Sequence, residues 1–206
     1  MAGIYLHIPF CKSKCIYCGF YSVANLKQKA QYLDALKEEI VFRNRYLGKE
    51  HIQTIYFGGG TPSLLSAQEI RELLEQLRQH FNIVSQPEIT LECNPEQLVA
   101  SGYCDELLEA GINRISIGVQ SFQEHVLQFM GRRHNALQAQ EAVAKAHQAG
   151  FRNISIDLIY GVSERTDAQW TDDINIAKSL PIQHLSAYAL TPEENSILYK
   201  QIQIDL

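Results

Sequence analysis

No stretch of the 206-residue sequence approaches the roughly 20 consecutive apolar residues that a membrane-spanning helix needs. The N-terminal MAGIYLHIPF has no basic segment ahead of an apolar one, so a secretory leader is not expected either. Long basic runs are also missing. The 23 acidic residues outnumber the 18 basic ones and leave a formal charge of −5, which offers no electrostatic footprint for a phosphate backbone and sets nucleic acid aside as a partner. There are no linkers, sequence repeats or low-complexity tracts, and a composition 46% hydrophobic and 20% charged suits one sizeable globular core. Five cysteines is an odd number, and three of them, Cys11, Cys15 and Cys18, fall within eight residues. That crowding suits metal binding in a reducing compartment better than a disulfide framework, and the chain reads as cytoplasmic.

What the sequence does have is an alternation of short β-rich runs with helix-length amphipathic stretches, the pattern of parallel strands joined by helical crossovers. Six strands are predicted, over approximately Ile4 to Ile8, Thr54 to Gly58, Glu88 to Cys93, Arg114 to Gln120, Asn153 to Ile159 and His184 to Leu190. Ser66 with Glu69, and Thr166 with Gln169, have the spacing of capping boxes that start helices. Ile70, Leu73, Leu74, Leu77 and Phe81 then recur on one helical face. Gly111 and Gly150 each follow a helical run and precede a strand, where a glycine can end a helix in the left-handed conformation.

Strand phase separates an open doubly wound sheet from an incomplete barrel. A parallel strand buried on both faces should be almost wholly apolar. Here one face is aliphatic, with Ile4, Leu6 and Ile8, then Ile89 and Leu91, Ile115, Ile117 and Val119, and Ile154, Ile156 and Leu158. The other carries Tyr5 and His7, Tyr56 and Gly58, Thr90 and Glu92, Ser116, Gly118 and Gln120, and Ser155 and Asp157. Because side chains alternate along a strand, the polar set projects to one side as a lumen. Charged groups there require partners or a ligand. Glu92 and Asp157 lie toward the C-terminal ends of their strands, where barrel enzymes place their chemistry.

Cys11, Cys15 and Cys18 have the spacing CxxxCxxC directly after the first strand. Three thiolates hold three irons of a four-iron cluster and leave the fourth open to a ligand, whereas electron-carrier ferredoxins supply four cysteines. A zinc site with His7 as fourth ligand is the alternative. Cys93 shares the phase of Ile89 and Leu91, and Cys104 falls in a helical stretch, so both read as small buried hydrophobes. Trp170, on a helix with Ile174 and Ala177, reads as core. After the second strand comes Gly58, Gly59, Gly60, Thr61, Pro62, which suits close approach of backbone to a small molecule, or is simply a tight turn. No Lys followed by Ser or Thr stands at the offset a phosphate loop needs. Arg132, in MGRRHN, is either a carboxylate-pairing guanidinium or a surface arginine beside Arg133.

The CxxxCxxC spacing with Tyr17 before the last cysteine resembles the radical S-adenosylmethionine (SAM) superfamily. YLHIPFCKSKCIYCGF, YFGGGTPS, ITLECNP, GINRISIGVQSF and IDLIYG resemble, within it, the group of oxygen-independent coproporphyrinogen dehydrogenases and HemW-type haem chaperones. The resemblance runs from Tyr5 to about Pro192. It implies an α/β fold, an incomplete (β/α)6 barrel of parallel strands, with residues 1–192 as the core barrel. Residues 193–206 then begin a C-terminal region whose accessory domain is missing here. It also implies a 4Fe-4S cluster on Cys11, Cys15 and Cys18, and SAM contacts at Tyr5, Tyr17, Gly59, Gly60, Thr61, Glu92, Gln120, Arg132 and Asp157. The dehydrogenases carry a further cysteine two residues after the third. Here Gly19 and Phe20 follow Cys18, which resembles the chaperones and leaves open whether the chain is an enzyme. Chaperone membership implies haem, bound by the full-length protein through its C-terminal part, haem-acceptor proteins, and an electron donor such as flavodoxin or ferredoxin. The alternative is oxidative decarboxylation of coproporphyrinogen, or radical chemistry on another substrate.

Overall fold

Strands β1 (Ala2–Ile8), β2 (Ile52–Gly59), β3 (Ile83–Cys93), β4 (Arg114–Gln120), β5 (Ile154–Tyr160) and β6 (His184–Ala189) form a single parallel sheet in chain order in the computed structural model, which describes residues 2–194 and 196–204. Helices α1 (Lys29–Phe42), α2 (Ala67–His80), α3 (Pro95–Leu98), α4 (Tyr103–Ala110), α5 (Glu124–Phe129), α6 (Ala136–Ala149) and α7 (Asp167–Ser179) lie in the crossovers. Helix α8 (Ile197–Ile204) follows β6. This is the α/β, six-unit barrel wall expected from the sequence. Strand β3 begins at Ile83 rather than Glu88, with Pro87 inside it. Its pairing with β2 jumps from Ile52↔Ile83 to Thr54↔Glu88, and at such an irregularity a proline's missing N–H breaks no ladder bond.

The aliphatic phase makes the core. Ile8, Ile55, Ile89, Leu91, Ile115, Ile117, Val119, Ile154, Ile156 and Leu158 are all buried, each stabilising the fold by roughly 1.5–3 kcal/mol. Against them α2 lays Ile70, Leu73, Leu74 and Leu77; Phe81 packs just beyond the helix end. The Ser66–Glu69 and Thr166–Gln169 capping boxes form, as does a third, Asn135–Gln138, at the start of α6. Gly111 and Gly150 follow α4 and α6 at φ 104° and 122°. Trp170 and Ile174 pack on the core, and Cys93 and Cys104 are buried.

Register aligns the polar phase into rows across the sheet. Tyr5, Tyr56, Thr90 and Arg114 are neighbours on β1 to β4; Glu92, Ser116 and Ser155 form a second row, and Gly118, Asp157 and Ser186 a third. Strands β1 and β6 are each paired on one side only. Tyr5 and Tyr188, both more than half exposed, stand on these two edges. No described helix is long and apolar enough to cross a membrane.

Candidate functional site

The cysteine loop leaves β1 and is tied down before it reaches the cavity. Cys11 N donates to Val23 O (3.1 Å) and Val23 N to Pro9 O (2.7 Å), while Ile16 N donates to Met130 O (3.3 Å). The glycine run after β2 completes the anchorage, with Gly60 N donating to Ile8 O (2.8 Å) and Thr61 N to Phe10 O (2.7 Å). A Cβ on Gly60 would lie 2.7 Å from Phe10 O, and one on Gly59, at φ 115°, would lie 2.6 Å from the His7 ring. These glycines are thus required first by the protein's own loop crossing, a reason the turn sequence did not disclose.

Beyond this crossing the strand ends enclose a cavity of about 620 Å³, within the range of small-molecule sites. Cys11, Cys15, Tyr17, Cys18, Gly59, Gly60, Thr61, Glu92, Gln120, Arg132 and Asp157 all line it. Tyr5 does not. Its ring stacks on Tyr56 at 6.0 Å and its hydroxyl is 3.1 Å from His7 Nδ1, so it reaches the site only through neighbours. Ala189, whose phase turns its side chain from the lumen, still lies on the rim as the last residue of β6. Phe20 also lines the cavity and is 71% exposed.

The two carboxylates occupy the lumen as their phase predicts. Glu92 Oε1 accepts from Tyr56 Oη (2.7 Å) and Oε2 from Gly59 N (3.0 Å); burial nevertheless holds its carboxyl above the usual range. Asp157 lies 3.5 Å from Ser116 Oγ and is likewise raised by burial. Carboxylates deprived of water in this way gain most from a cationic ligand group. Gln120 is the one described non-glycine residue with positive φ, at 70°, and sits where β4 slips register against β5. A bulge of this kind re-aims a side chain beside a site.

Around the cysteines the chemistry is that of thiolate sulfur. All three are half-buried, and burial pushes the Cys18 thiol up, so a bound metal's charge is what would deprotonate it. Thr61 Oγ1 donates to Cys11 Sγ (3.5 Å) and Arg132 Nη1 to Cys15 Sγ (3.4 Å). His7, the candidate zinc ligand, has Nδ1 beside Tyr5 Oη and Nε2 3.1 Å from Tyr21 O. Both ring nitrogens are thus engaged. The three cysteines lining the cavity are soft sulfur donors, and a cubane spreads three such thiolates over three irons. The donor set fits a cluster with three protein ligands.

Arg132 is half-buried and turned inward onto the end of the sheet, which sets the surface-arginine alternative aside. Nη2 donates to Asn94 Oδ1 (2.7 Å) and Gly118 O (2.6 Å), and the buried Nε has no hydrogen-bond partner among the described residues. Asn94 escaped sequence reasoning. Standing before Pro95 it reads as an ordinary helix start, yet its side chain makes no cap and instead donates Nδ2 to Thr61 Oγ1 (3.2 Å).

The Radical SAM superfamily description matches residues 5–177. The chain belongs to the radical SAM superfamily. This radical SAM chain is 35% identical over 205 residues to the heme chaperone HemW of Bacillus subtilis, covering 98% of this chain and 54% of that one. It is 38% identical over 198 residues to the heme chaperone HemW of Escherichia coli, covering 95% and 52%. Coproporphyrinogen III oxidase (HemN) from Escherichia coli, described as a radical SAM enzyme, superposes with TM-score 0.87 at 31% identity over 98% of this chain and 46% of its own. The chain spans about half the length of the curated relatives it matches. Radical SAM membership implies a 4Fe-4S cluster and SAM.

Proposed function

We propose that the protein carrying this chain is a haem chaperone that holds a 4Fe-4S cluster on Cys11, Cys15 and Cys18, binds SAM at the open iron, and passes haem to acceptor proteins. The observation that carries the choice is Phe20. Exposed on the cavity wall, it stands where coproporphyrinogen dehydrogenases carry a further cysteine, and the relatives named heme chaperone HemW are similar over nearly the whole chain. We assign residues 1–192 to the core barrel and 193–206 to the start of a further region, and expect the protein in the cytoplasm with flavodoxin or ferredoxin as electron donor.

When bound, the cluster supplies the electron that cleaves SAM to methionine and a 5′-deoxyadenosyl radical. The chain's own residues bind and orient. Glu92 and Asp157, which line the cavity, would take the cationic groups of SAM. Arg132, whose side chain lines the cavity, would pair with SAM's carboxylate. Gln120, Tyr17, Gly59, Gly60 and Thr61 line the remaining wall, and Tyr5 supports it through Tyr56. Glu92→Ala and Asp157→Ala should each weaken SAM binding by about one to two decades, the loss of a charge-assisted hydrogen bond of roughly 1.5–3 kcal/mol, with iron content nearly unchanged. Unaltered SAM affinity in both variants, measured by equilibrium binding, would remove these residues from the site.

A second reading, coproporphyrinogen dehydrogenase, is favoured by the HemN superposition. The full-length protein, assayed anaerobically, should bind haem and transfer it to an apo-acceptor. It should form no protoporphyrinogen from coproporphyrinogen with SAM and reductant. SAM-dependent conversion would establish the second reading.

A further inference from the structure

The contacts around Arg132 join into one directed chain. Arg132 Nη2 donates to Asn94 Oδ1 (2.7 Å), Asn94 Nδ2 donates to Thr61 Oγ1 (3.2 Å), and the Thr61 hydroxyl donates to Cys11 Sγ (3.5 Å). Arg132 Nη1 donates directly to Cys15 Sγ (3.4 Å). The orientation of the Asn94 amide is fixed by its neighbours, since the guanidinium can only donate and must face the oxygen. Along this path each donor points away from the cation and toward a cysteine sulfur, while Nη2 also donates to Gly118 O (2.6 Å). In such a chain each bond polarises the next. Asn94 is held from a third side by its backbone N–H on Ser63 Oγ (3.2 Å), and a Cβ on Gly118 would come within 3.4 Å of Arg132 Nη2 and 3.6 Å of Asn94 Oδ1. The bracket is thus packed on the sheet end rather than draped over it.

The Arg132 guanidinium is half-buried, and a cation drawn out of water to that extent is held by anionic or strongly accepting groups. Asn94 Oδ1 and Gly118 O supply neutral acceptors, and among the described residues the Cys15 sulfur is the one hydrogen-bonded partner able to carry negative charge. We propose that Arg132, Asn94 and Thr61 form a hydrogen-bonded bracket across two cluster sulfurs that sets the cluster's reduction potential, with Asn94 as the positioning residue that links the cation to the Cys11 side. This rests on the assignment of a cluster to Cys11, Cys15 and Cys18. Donors to cluster sulfurs stabilise the reduced, more negative state, so they raise the potential. The bracket makes the cluster easier to reduce and holds Cys11 and Cys15 at fixed positions about the open iron.

The test is a potentiometric titration of the anaerobically reconstituted full-length protein, followed by the electron paramagnetic resonance of the reduced cluster, without SAM. Thr61→Val removes only the donor to Cys11 at nearly constant shape and is expected to lower the reduced-to-oxidised ratio about tenfold at the wild-type midpoint, a shift of about 59 mV for one electron. Thr61→Ser should restore the wild-type value. Asn94→Ala should lower the potential at least as far as Thr61→Val, and combining the two should add little, because both act through the same donor. If Asn94→Ala loads no iron, the Thr61 pair decides alone. Wild-type protein without a reducible four-iron cluster would defeat the cluster assignment itself. A normal wild-type cluster whose potential is unmoved in Thr61→Val would overturn the bracket and leave that assignment standing.

Discussion

Replacing any one of Cys11, Cys15 or Cys18 with Ala should take the anaerobically reconstituted protein from about four irons and four sulfides per chain to almost none, while Cys93→Ala and Cys104→Ala should keep them. The distinction follows from environment. The three loop cysteines line the cavity, and two of them already accept hydrogen bonds at sulfur from Thr61 and Arg132. Cys93 and Cys104 are buried, and their thiols donate to the carbonyls of Leu91 and Leu98, both at 3.6 Å. Burial raises both thiols, Cys104 to about 11, so they stay protonated and inert. Three ligands leave no spare, because losing one exposes a second iron of the cubane. Stoichiometric zinc with no iron in anaerobically purified protein would refute the assignment, as would four irons retained in all three loop variants.

The parts of the site legible in the sequence are those governed by local periodicity. Period-two alternation placed Glu92, Asp157 and Gln120 on the lumen face, and the CxxxCxxC spacing brought three sulfurs to one loop. Even there the turn at Gln120 was hidden, because a positive φ at a non-glycine residue is imposed by contacts from elsewhere in the fold. Asn94 was hidden for a similar reason. Its partners Thr61 and Arg132 lie 33 and 38 positions away in sequence, and nothing in an Asn-Pro pair foretells which long-range donors will meet it. The glycine run shows a third case. Its composition announced close approach, and the structure shows that what approaches is the protein itself, the backbone of Ile8 and Phe10 at Gly60 and the His7 ring at Gly59.

Asp173 is the largest such omission, and Asp173→Ala is expected to lower the thermal midpoint by roughly 6–20 °C, the equivalent of about 3–5 kcal/mol for a buried pair broken from one side in a chain of this size. Asp173 sits in α7 with no exposed surface. It accepts from Ser121 Oγ (2.7 Å), Phe122 N (2.9 Å), Gln123 Nε2 (3.2 Å) and Arg165 Nη1 (3.0 Å). The Arg165 side chain is itself only 2% exposed and lies over the Trp170 ring at 4.5 Å. Removing the carboxylate strands a buried cation and a buried backbone N–H together. Arg165→Met combined with Asp173→Leu should therefore be less destabilising than Asp173→Ala alone, since it also removes the stranded charge. The pair reaches the cavity through the chain itself. Ser121 and Phe122 directly follow Gln120, whose left-handed backbone carries a strain of order 1–3 kcal/mol that surrounding contacts must hold. Releasing that anchor lets Gln120 relax away from the cavity. Asp173→Ala, assayed well below its midpoint, should consequently bind SAM more weakly while keeping its iron, because no cluster cysteine depends on this network. Calorimetry and SAM titration on the same preparation check both halves, and a midpoint within about 2 °C of wild type would show that Asp173 is not what holds the turn.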